Sequence, residues 1–301
     1  MTEFKAAYLK LPEQELEERA GRLAELASPC RLCPRKCGSS RTSGDTGYCQ
    51  TGFEPAISSA HAHFGEESPL SGNRGSGTIF FTNCNLGCIF CQNYDISHLG
   101  SGKAISTDEL ADVMLSLQKQ GCHNINLVTP THQIHSIVHA LLSAVDGGLR
   151  VPIVYNTGGY DSQDIIRLLD GIVDIFMPDI KFFDPEISKD LADARDYPKV
   201  IKDAVRQMHR QVGDLVLSKD GVALRGLLVR HLVLPHGLAG SGEVFRFISS
   251  EISLDTYLNV MAQYRPCWKA VGADRIGDSL ESSDYLHALS LARESGLTRL
   301  D

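Results

Sequence analysis

The sequence contains no run of 18 apolar residues, so no segment is expected to cross a bilayer as a helix. Its first 30 residues carry Glu3, Glu13, Glu15, Glu17, Glu18 and Glu25 and no apolar core, so no secretory signal is expected either. There is no internal repeat and no long low-complexity tract. The GSG triplets at 75–77 and 240–242 do not extend to a G-x-G-x-x-G dinucleotide fingerprint. Positive charge is in deficit: the net charge of −8 argues against a dedicated nucleic-acid binder. What is present is an ordinary globular composition, 43% hydrophobic and 22% charged over 301 residues. That excludes a disordered chain, a collagen-like repeat and a coiled-coil rod. The length is about two domains' worth, and one α/β barrel with a small appendage fits equally well. The expected setting is cytoplasmic, with neither membrane nor nucleic acid as partner.

Cysteine is the residue in excess. There are nine: Cys30, Cys33, Cys37, Cys49, Cys84, Cys88, Cys91, Cys122 and Cys267. The odd count and the missing export signal argue against a disulfide framework. Clustered thiols in a reducing compartment point to metal.

Residues 11–26 read as an amphipathic helix, with Leu16, Ala20, Leu23 and Leu26 on one side and Pro12 suited to its first turn. Residues 28–54 form a Pro-, Gly-, Ser- and Cys-rich knot too poor in apolar residues for a core of its own, which a metal would hold together. Residues 55–76 read as extended or irregular. From Gly77 the texture changes. Apolar runs at 78–81, 125–128, 153–155, 172–177, 227–234 and 257–261 alternate with helical patterns at 106–120, 132–146, 161–169, 198–212, 242–250 and 282–295. Ser106 and Glu109 have capping-box spacing. Parallel strands need crossover helices, so this alternation predicts a parallel sheet, curled by right-handed crossovers into a partial (β/α)6 TIM-like barrel. The expected division is an N-terminal helical, cysteine-rich segment, 1–75, followed by the barrel, 76–301.

The segment Cys84-Asn85-Leu86-Gly87-Cys88-Ile89-Phe90-Cys91 places three thiols at C-x3-C-x2-C spacing. Stretched, it spans at most about 25 Å, so as a loop it wraps one small centre. Iron–sulfur clusters are usually held by four cysteines; three would leave one iron of a [4Fe–4S] cube open, as a catalytic metal requires. The loop follows the first apolar run, at the strand end where α/β barrels keep their chemistry. Three buried structural cysteines, or a zinc loop, are the plainer readings.

CNLGCIFC resembles the signature of the radical S-adenosylmethionine (radical SAM) enzymes, including the aromatic Phe90 before the last cysteine. The wider GSGTIFFTNCNLGCIFCQN is similar to the subgroup related to pyruvate formate-lyase activating enzyme, and the resemblance covers roughly residues 60–270. It implies a [4Fe–4S] cluster on Cys84, Cys88 and Cys91 whose open iron chelates SAM. It implies reductive cleavage of SAM to methionine and a 5′-deoxyadenosyl radical, and abstraction of hydrogen from a substrate. A glycyl radical enzyme is one candidate substrate, and an electron donor such as flavodoxin or ferredoxin is the implied partner.

Cys30, Cys33, Cys37 and Cys49 form a second candidate centre, which the resemblance also places ahead of the core in relatives of that subgroup. Four thiols suit zinc or a closed iron–sulfur cluster; only one C-x2-C hook is present, so the spacing is atypical for zinc. A closed centre would be structural or would relay electrons, and free reduced thiols are the plain alternative.

The other strand ends supply the candidate SAM pocket. The second run ends at Thr129, Pro130 and Thr131, where radical SAM enzymes often carry a Gly-Gly-Glu-type segment that this chain lacks. His132, His135 and His139 share a helical side, read as polar residues rather than a metal site. Asn156 follows the third run and is a candidate for a ribose hydroxyl; a plain glycine turn at Gly158-Gly159 is the alternative. Asp179 and Lys181 alternate to one face, matching an acid-x-Lys segment of the activating enzymes, with an ordinary ion pair as the alternative. Arg230 and His231 interrupt an apolar run, which is costly unless they are paired or face the interior. Arg230 is the candidate for the SAM carboxylate, and His231 is read as surface-facing. Tyr264-Arg265-Pro266 is placed at the same rim; Cys122 and Cys267 are read as buried packing residues.

The function expected is that of a radical SAM enzyme. The rival from another class is a non-enzymatic iron–sulfur protein for electron transfer or sensing, and a second rival is a zinc-stabilised binding module.

Overall fold

The computed structural model describes residues 4–301. Nine strands form one sheet: β1 (Ala56–His63), β2 (Ser76–Phe81), β3 (Lys103–Ala104), β4 (Ile125–Val128), β5 (Ile153–Thr157), β6 (Ile175–Pro178), β7 (Val216–Leu217), β8 (Ala223–Leu232) and β9 (Tyr257–Met261). Their order is β3-β1-β2-β4-β5-β6-β8-β7, with β9 also on β8. The strands β2, β4, β5, β6, β8 and β9 pair in parallel, and β1, β3 and β7 are antiparallel additions. Among the described residues no ladder joins β9 back to β1 or β3, so the barrel is open.

The six parallel strands coincide with the six apolar runs. β6 starts three residues later than its run, at Ile175, and β8 ends two residues earlier, at Leu232. Residues 55–76 contribute β1, which pairs along the outer edge of β2 from Ile57↔Phe81 to His63↔Ser76. Short or alternating polar strands such as AISSAHAH lack the continuous apolar run of a doubly covered strand, which is why β1 did not stand out.

Helices cover the outer face. Thr107–Lys119 begins with the expected capping box: Glu109 N donates to Ser106 Oγ at 3.0 Å and Ser106 N donates to the Glu109 carboxylate at 2.7 Å. Ile134–Asp146, Gln163–Leu168, Tyr197–Val212, Ser241–Phe247 and Ser282–Glu294 match the remaining helical patterns. Pro185–Ala192 was not anticipated; its N-cap Asp184 accepts from Glu186 N and Ile187 N, with Pro185 at the first position. The first helix, Glu13–Glu25, packs on Ile134–Asp146 and buries Leu16, Ala20 and Leu23 in the same core as the barrel helices.

Side-chain alternation divides each parallel strand between two faces. Ile79, Leu127, Tyr155, Val229 and Leu258 enter the large core under the helices. Val154, Met177 and Leu228 form a smaller cluster on the concave side. The same alternation puts Thr78, Phe80, Asn126, Val128, Asn156, Arg230 and Asn259 on the concave face. Arg230 is therefore an interior residue. His231 points the other way and is fully buried against the helix Ser241–Phe247, facing Ile180 O at 2.7 Å and Ser241 Oγ at 2.9 Å. The surface-facing reading of His231 is thus corrected: a strand covered on both sides has no solvent face.

Candidate functional site

The loop 84–91 follows β2 and bends back across the strand ends. Gly87 N and Ile89 N donate to Ala192 O and Leu191 O, each at 2.9 Å, which fixes the loop to the end of Pro185–Ala192. Gly87 lets the loop pass close: a Cβ there would stand 2.8 Å from the Tyr48 hydroxyl and 3.0 Å from Asp193 Cβ, so Tyr48 would have to move. Phe90 turns into the core, its ring 6.0 Å from Phe182 and 6.2 Å from Tyr264. It packs beneath the loop and does not line the cavity described next.

Cys84, Cys88 and Cys91 line one cavity of about 160 Å³ together with Thr129, Asn156, Asp179, Lys181 and Arg230. The strand-end residues singled out in the sequence therefore meet at one place. Arg230 Nε donates to Asp179 Oδ1 at 2.8 Å and its Nη2 donates to Asn156 Oδ1 at 2.8 Å. Lys181 Nζ donates to the second oxygen, Asp179 Oδ2, at 2.9 Å. Burial alone would raise the Asp179 carboxyl; Arg230 and then Lys181 outweigh it and hold it down to about 2. Lys181 is raised, since Asp179 and Cys88 outweigh its burial, so it stays an ammonium beside the thiols. Burial pushes the Cys84 and Cys88 thiols up to about 12.

Two devices hold these strand ends. The Tyr197 hydroxyl accepts from Lys181 N at 3.1 Å and lies within hydrogen-bond reach of Gly158 O and Asp179 O. Gly159, at φ +81°, approaches so closely that a Cβ would meet Ile201 Cδ1 at 2.2 Å. Below them the Asp161 carboxylate, fully buried, accepts from Thr131 Oγ1, Thr157 Oγ1 and the Tyr155 hydroxyl at 2.7–2.8 Å. Asp161 escaped the sequence reading because it follows the glycine turn rather than ending a strand. Thr129 occupies φ +59°, a left-handed conformation rare for a β-branched residue, with its N–H on Asn156 O at 2.8 Å. The strain lies where the Gly-Gly-Glu segment expected from the resemblance was missing, and Thr129 lines the cavity described above.

His132 and His135 are buried and neutral, pushed down to about 4 and about 3 chiefly by burial, and each hydrogen-bonds a backbone carbonyl at 2.8 Å. His139 is exposed on the next turn. Tyr264 is buried, its hydroxyl donating to Ile276 O, and lies off the cavity wall; Arg265 is exposed. Cys122 and Cys267 are buried.

The 30–49 knot lies directly on the cluster loop. Arg35 donates to Asn85 O at 2.6 Å and to Asp193 O at 2.7 Å, and stacks on the Tyr48 ring at 3.4 Å. Arg41 donates to His132 O at 2.6 Å and to Cys49 Sγ at 3.2 Å. Cys30, Cys33 and Cys49 are buried and Cys37 is exposed. Burial would raise Cys37, but hydrogen bonds from Ser39 and from the Ser39 and Tyr48 backbone prevail and bring it to about 7. Among the described residues no three His, Cys, Asp or Glu side chains gather closely enough to share a single metal ion. The loop thiols line a cavity instead, and their donor chemistry, three thiols that give up their protons to a metal with an ammonium beside them, fits a cluster with one uncommitted iron.

Comparison with known proteins bears on the family and the fold. The model of the Radical SAM superfamily matches residues 78–224. The uncharacterized protein MJ0674 of Methanocaldococcus jannaschii is 32% identical over 278 residues, covering 89% of this chain and 75% of that protein. Among solved structures, Streptococcus suis SuiB bound to S-adenosylmethionine aligns with a TM-score of 0.50 at 12% identity over 71% of this chain, and SuiB bound to its precursor peptide SuiA aligns at 0.48 and 11%. The chain spans less than half of SuiB in both structures, 45% and 44%. At such identities the first of these likenesses concerns the fold alone, and the second adds no argument. Among the described residues no helix is long and apolar enough to cross a membrane.

Proposed function

The chain belongs to the radical SAM superfamily, and from that premise we propose that Cys84, Cys88 and Cys91 hold its [4Fe–4S] cluster and that the adjoining cavity takes SAM. When bound, cluster and SAM would supply one-electron cleavage of the S–C5′ bond and a 5′-deoxyadenosyl radical for hydrogen abstraction. The observation that carries the reading is the meeting of the three loop thiols with Thr129, Asn156, Asp179, Lys181 and Arg230 around one cavity.

The chain's own part is to bind, orient and exclude water. The three thiols give up their protons on metal binding, and Lys181 offsets the negative charge that results. The Asp179–Arg230–Asn156 array offers oriented donors and acceptors for a ligand with amino, carboxylate and hydroxyl groups. The left-handed Thr129 brings backbone groups to the same ligand. Phe90 and Leu86 fill the space beneath the loop. Cys30, Cys33, Cys37 and Cys49, which do not converge on a single point without metal, are proposed to be drawn together as a second centre, zinc or iron–sulfur, which through Arg35 and Asn85 adjoins the first.

Activation of a glycyl radical enzyme is the finer reading. It is supported by the likeness of GSGTIFFTNCNLGCIFCQN and of the Asp179-x-Lys181 segment to the activating enzymes, and it needs a reductant such as flavodoxin or ferredoxin. The test is anaerobic reconstitution with iron and sulfide, then SAM and dithionite. Methionine and 5′-deoxyadenosine should appear in equal amounts. Their absence from protein with a full iron complement would favour the non-enzymatic iron–sulfur rival.

A further inference from the structure

A second chamber, about 650 Å³, lies against the proposed SAM cavity on the concave side of the sheet. Phe80, Asn93, Val128, Asn156 and Arg230 line both, so a ligand in one reaches the other. The outer wall is the segment after β1, where Glu66 and Glu67 enter the space between β2 and β9. Their side chains are only 8% and 4% exposed. Asn259 Nδ2 donates to Glu67 Oε1 at 3.0 Å, and the other oxygen, Oε2, is buried without a hydrogen-bond partner. Asn126, fully buried on the concave face, stands behind Glu66 rather than in the chamber wall, near enough for its amide to favour the Glu66 carboxylate but without a well-formed hydrogen bond.

Arg230 serves this pair only in part. Its hydrogen bonds go to Asp179 and Asn156, and it makes longer ion pairs, 3.7 Å to Glu66 and 3.6 Å to Glu67, so one guanidinium is shared among three acids. Around the two chambers the acids Asp179, Glu66 and Glu67 face the cations Arg230 and Lys181, and Glu66, held at about 7 by burial, carries a proton part of the time at neutral pH. His63, pushed down by burial, is neutral, and Asp301 on the rim adds a further carboxylate. Buried carboxylates left short of positive charge are expensive, and a cation removes the cost.

We propose that this chamber is the substrate site and that it binds a substrate through a cationic nitrogen group, ammonium or guanidinium, held between Glu66 and Glu67 with the Asn126 amide behind Glu66. The inference rests on the radical SAM reading only in calling the occupant a substrate. The cation at the carboxylates leaves the remainder of the molecule to pass Phe80 and Val128 toward the SAM cavity. Burial keeps the Glu66 carboxyl at about 7, so binding of the cation should release a proton near neutrality.

The test is isothermal titration of the anaerobically reconstituted protein with agmatine, putrescine, 1,4-butanediol and succinate, without reductant. Agmatine or putrescine should bind saturably; tighter agmatine binding assigns guanidinium, tighter putrescine binding ammonium. Butanediol and succinate should not bind. Glu67→Gln should weaken the cation at least tenfold, and Asn126→Ala, which changes no charge, serves if that variant does not fold. Butanediol binding as well as putrescine, or cation binding unchanged in the variants, overturns the proposal. 5′-Deoxyadenosine formation, measured on the same preparation, separates the outcomes. Intact SAM cleavage without cation binding sinks this inference alone, whereas lost cleavage with cation binding retained sinks only the radical SAM reading.

Discussion

The loop 84–91 and the knot 30–49 use the same side chain in surroundings that differ at one position: burial raises Cys30 and Cys33 of the knot as it raises the loop thiols, whereas Cys37 is exposed. The loop is carried by a strand end of a covered sheet, and its Cys84 and Cys88 thiols are pushed up to about 12 by burial. The knot has almost no regular structure, is stapled to the barrel by Arg35 and Arg41, and keeps Cys37 exposed with a thiol brought down to about 7. A rigid scaffold can afford thiols that ionise only when a metal arrives. A segment without a core is held by charged hydrogen bonds and leaves one of its four thiols, Cys37, partly ionised at neutral pH. The difference teaches that cysteine spacing proposes a centre, while the surroundings decide its reactivity.

The sharpest division between the two regions is Cys88→Ala against Cys33→Ala. The first should abolish 5′-deoxyadenosine formation from SAM, and the second should retain it if the centres are separate; chromatographic assay of reduced, reconstituted protein reads both. Next in size is Asp179→Asn, which leaves Arg230 and Lys181 without their shared carboxylate. Urea unfolding at neutral pH should show a loss of about 3 kcal/mol. Because Asp179 is held down to about 2, its pairing contributes above the ordinary carboxylate range of about 3.9 and is lost as pH falls toward 2. The variant should lack that acid-dependent component.

Arg35→Ala removes the contacts to Asn85 and Asp193 and should cost about 2 kcal/mol by the same measurement. Iodoacetamide near pH 7, followed by peptide mass spectrometry, should label Cys37 in metal-free protein well before Cys84 or Cys88. Labelling in the reverse order would erase the contrast. The smallest effect expected is from Thr129→Gly, which relieves the left-handed strain and should add about 1 kcal/mol of stability.

The barrel was legible because six apolar runs alternate with helices, and Ser106 with Glu109 announced a capping box that is present. Thr129, Asn156, Asp179, Lys181 and Arg230 were legible because polar residues at strand ends share one rim. Asn126 and Asn259 carried a signal that went unused: an amide within an apolar strand, on the parity that Asn156 and Arg230 share. Glu66 and Glu67 carried none, since they lie in a loop whose position depends on β1 pairing with β2, a long-range contact that local pattern does not encode. His231 was misplaced because burial on the outer face comes from a helix ten residues further along the chain.

Electron paramagnetic resonance of the anaerobically reduced protein, recorded with and without SAM, bears most directly on an open iron at the loop thiols. The account predicts a reduced [4Fe–4S] signal whose g-values shift when SAM is added, in wild type and in Cys33→Ala but not in Cys88→Ala. A wild-type signal indifferent to SAM would contradict it.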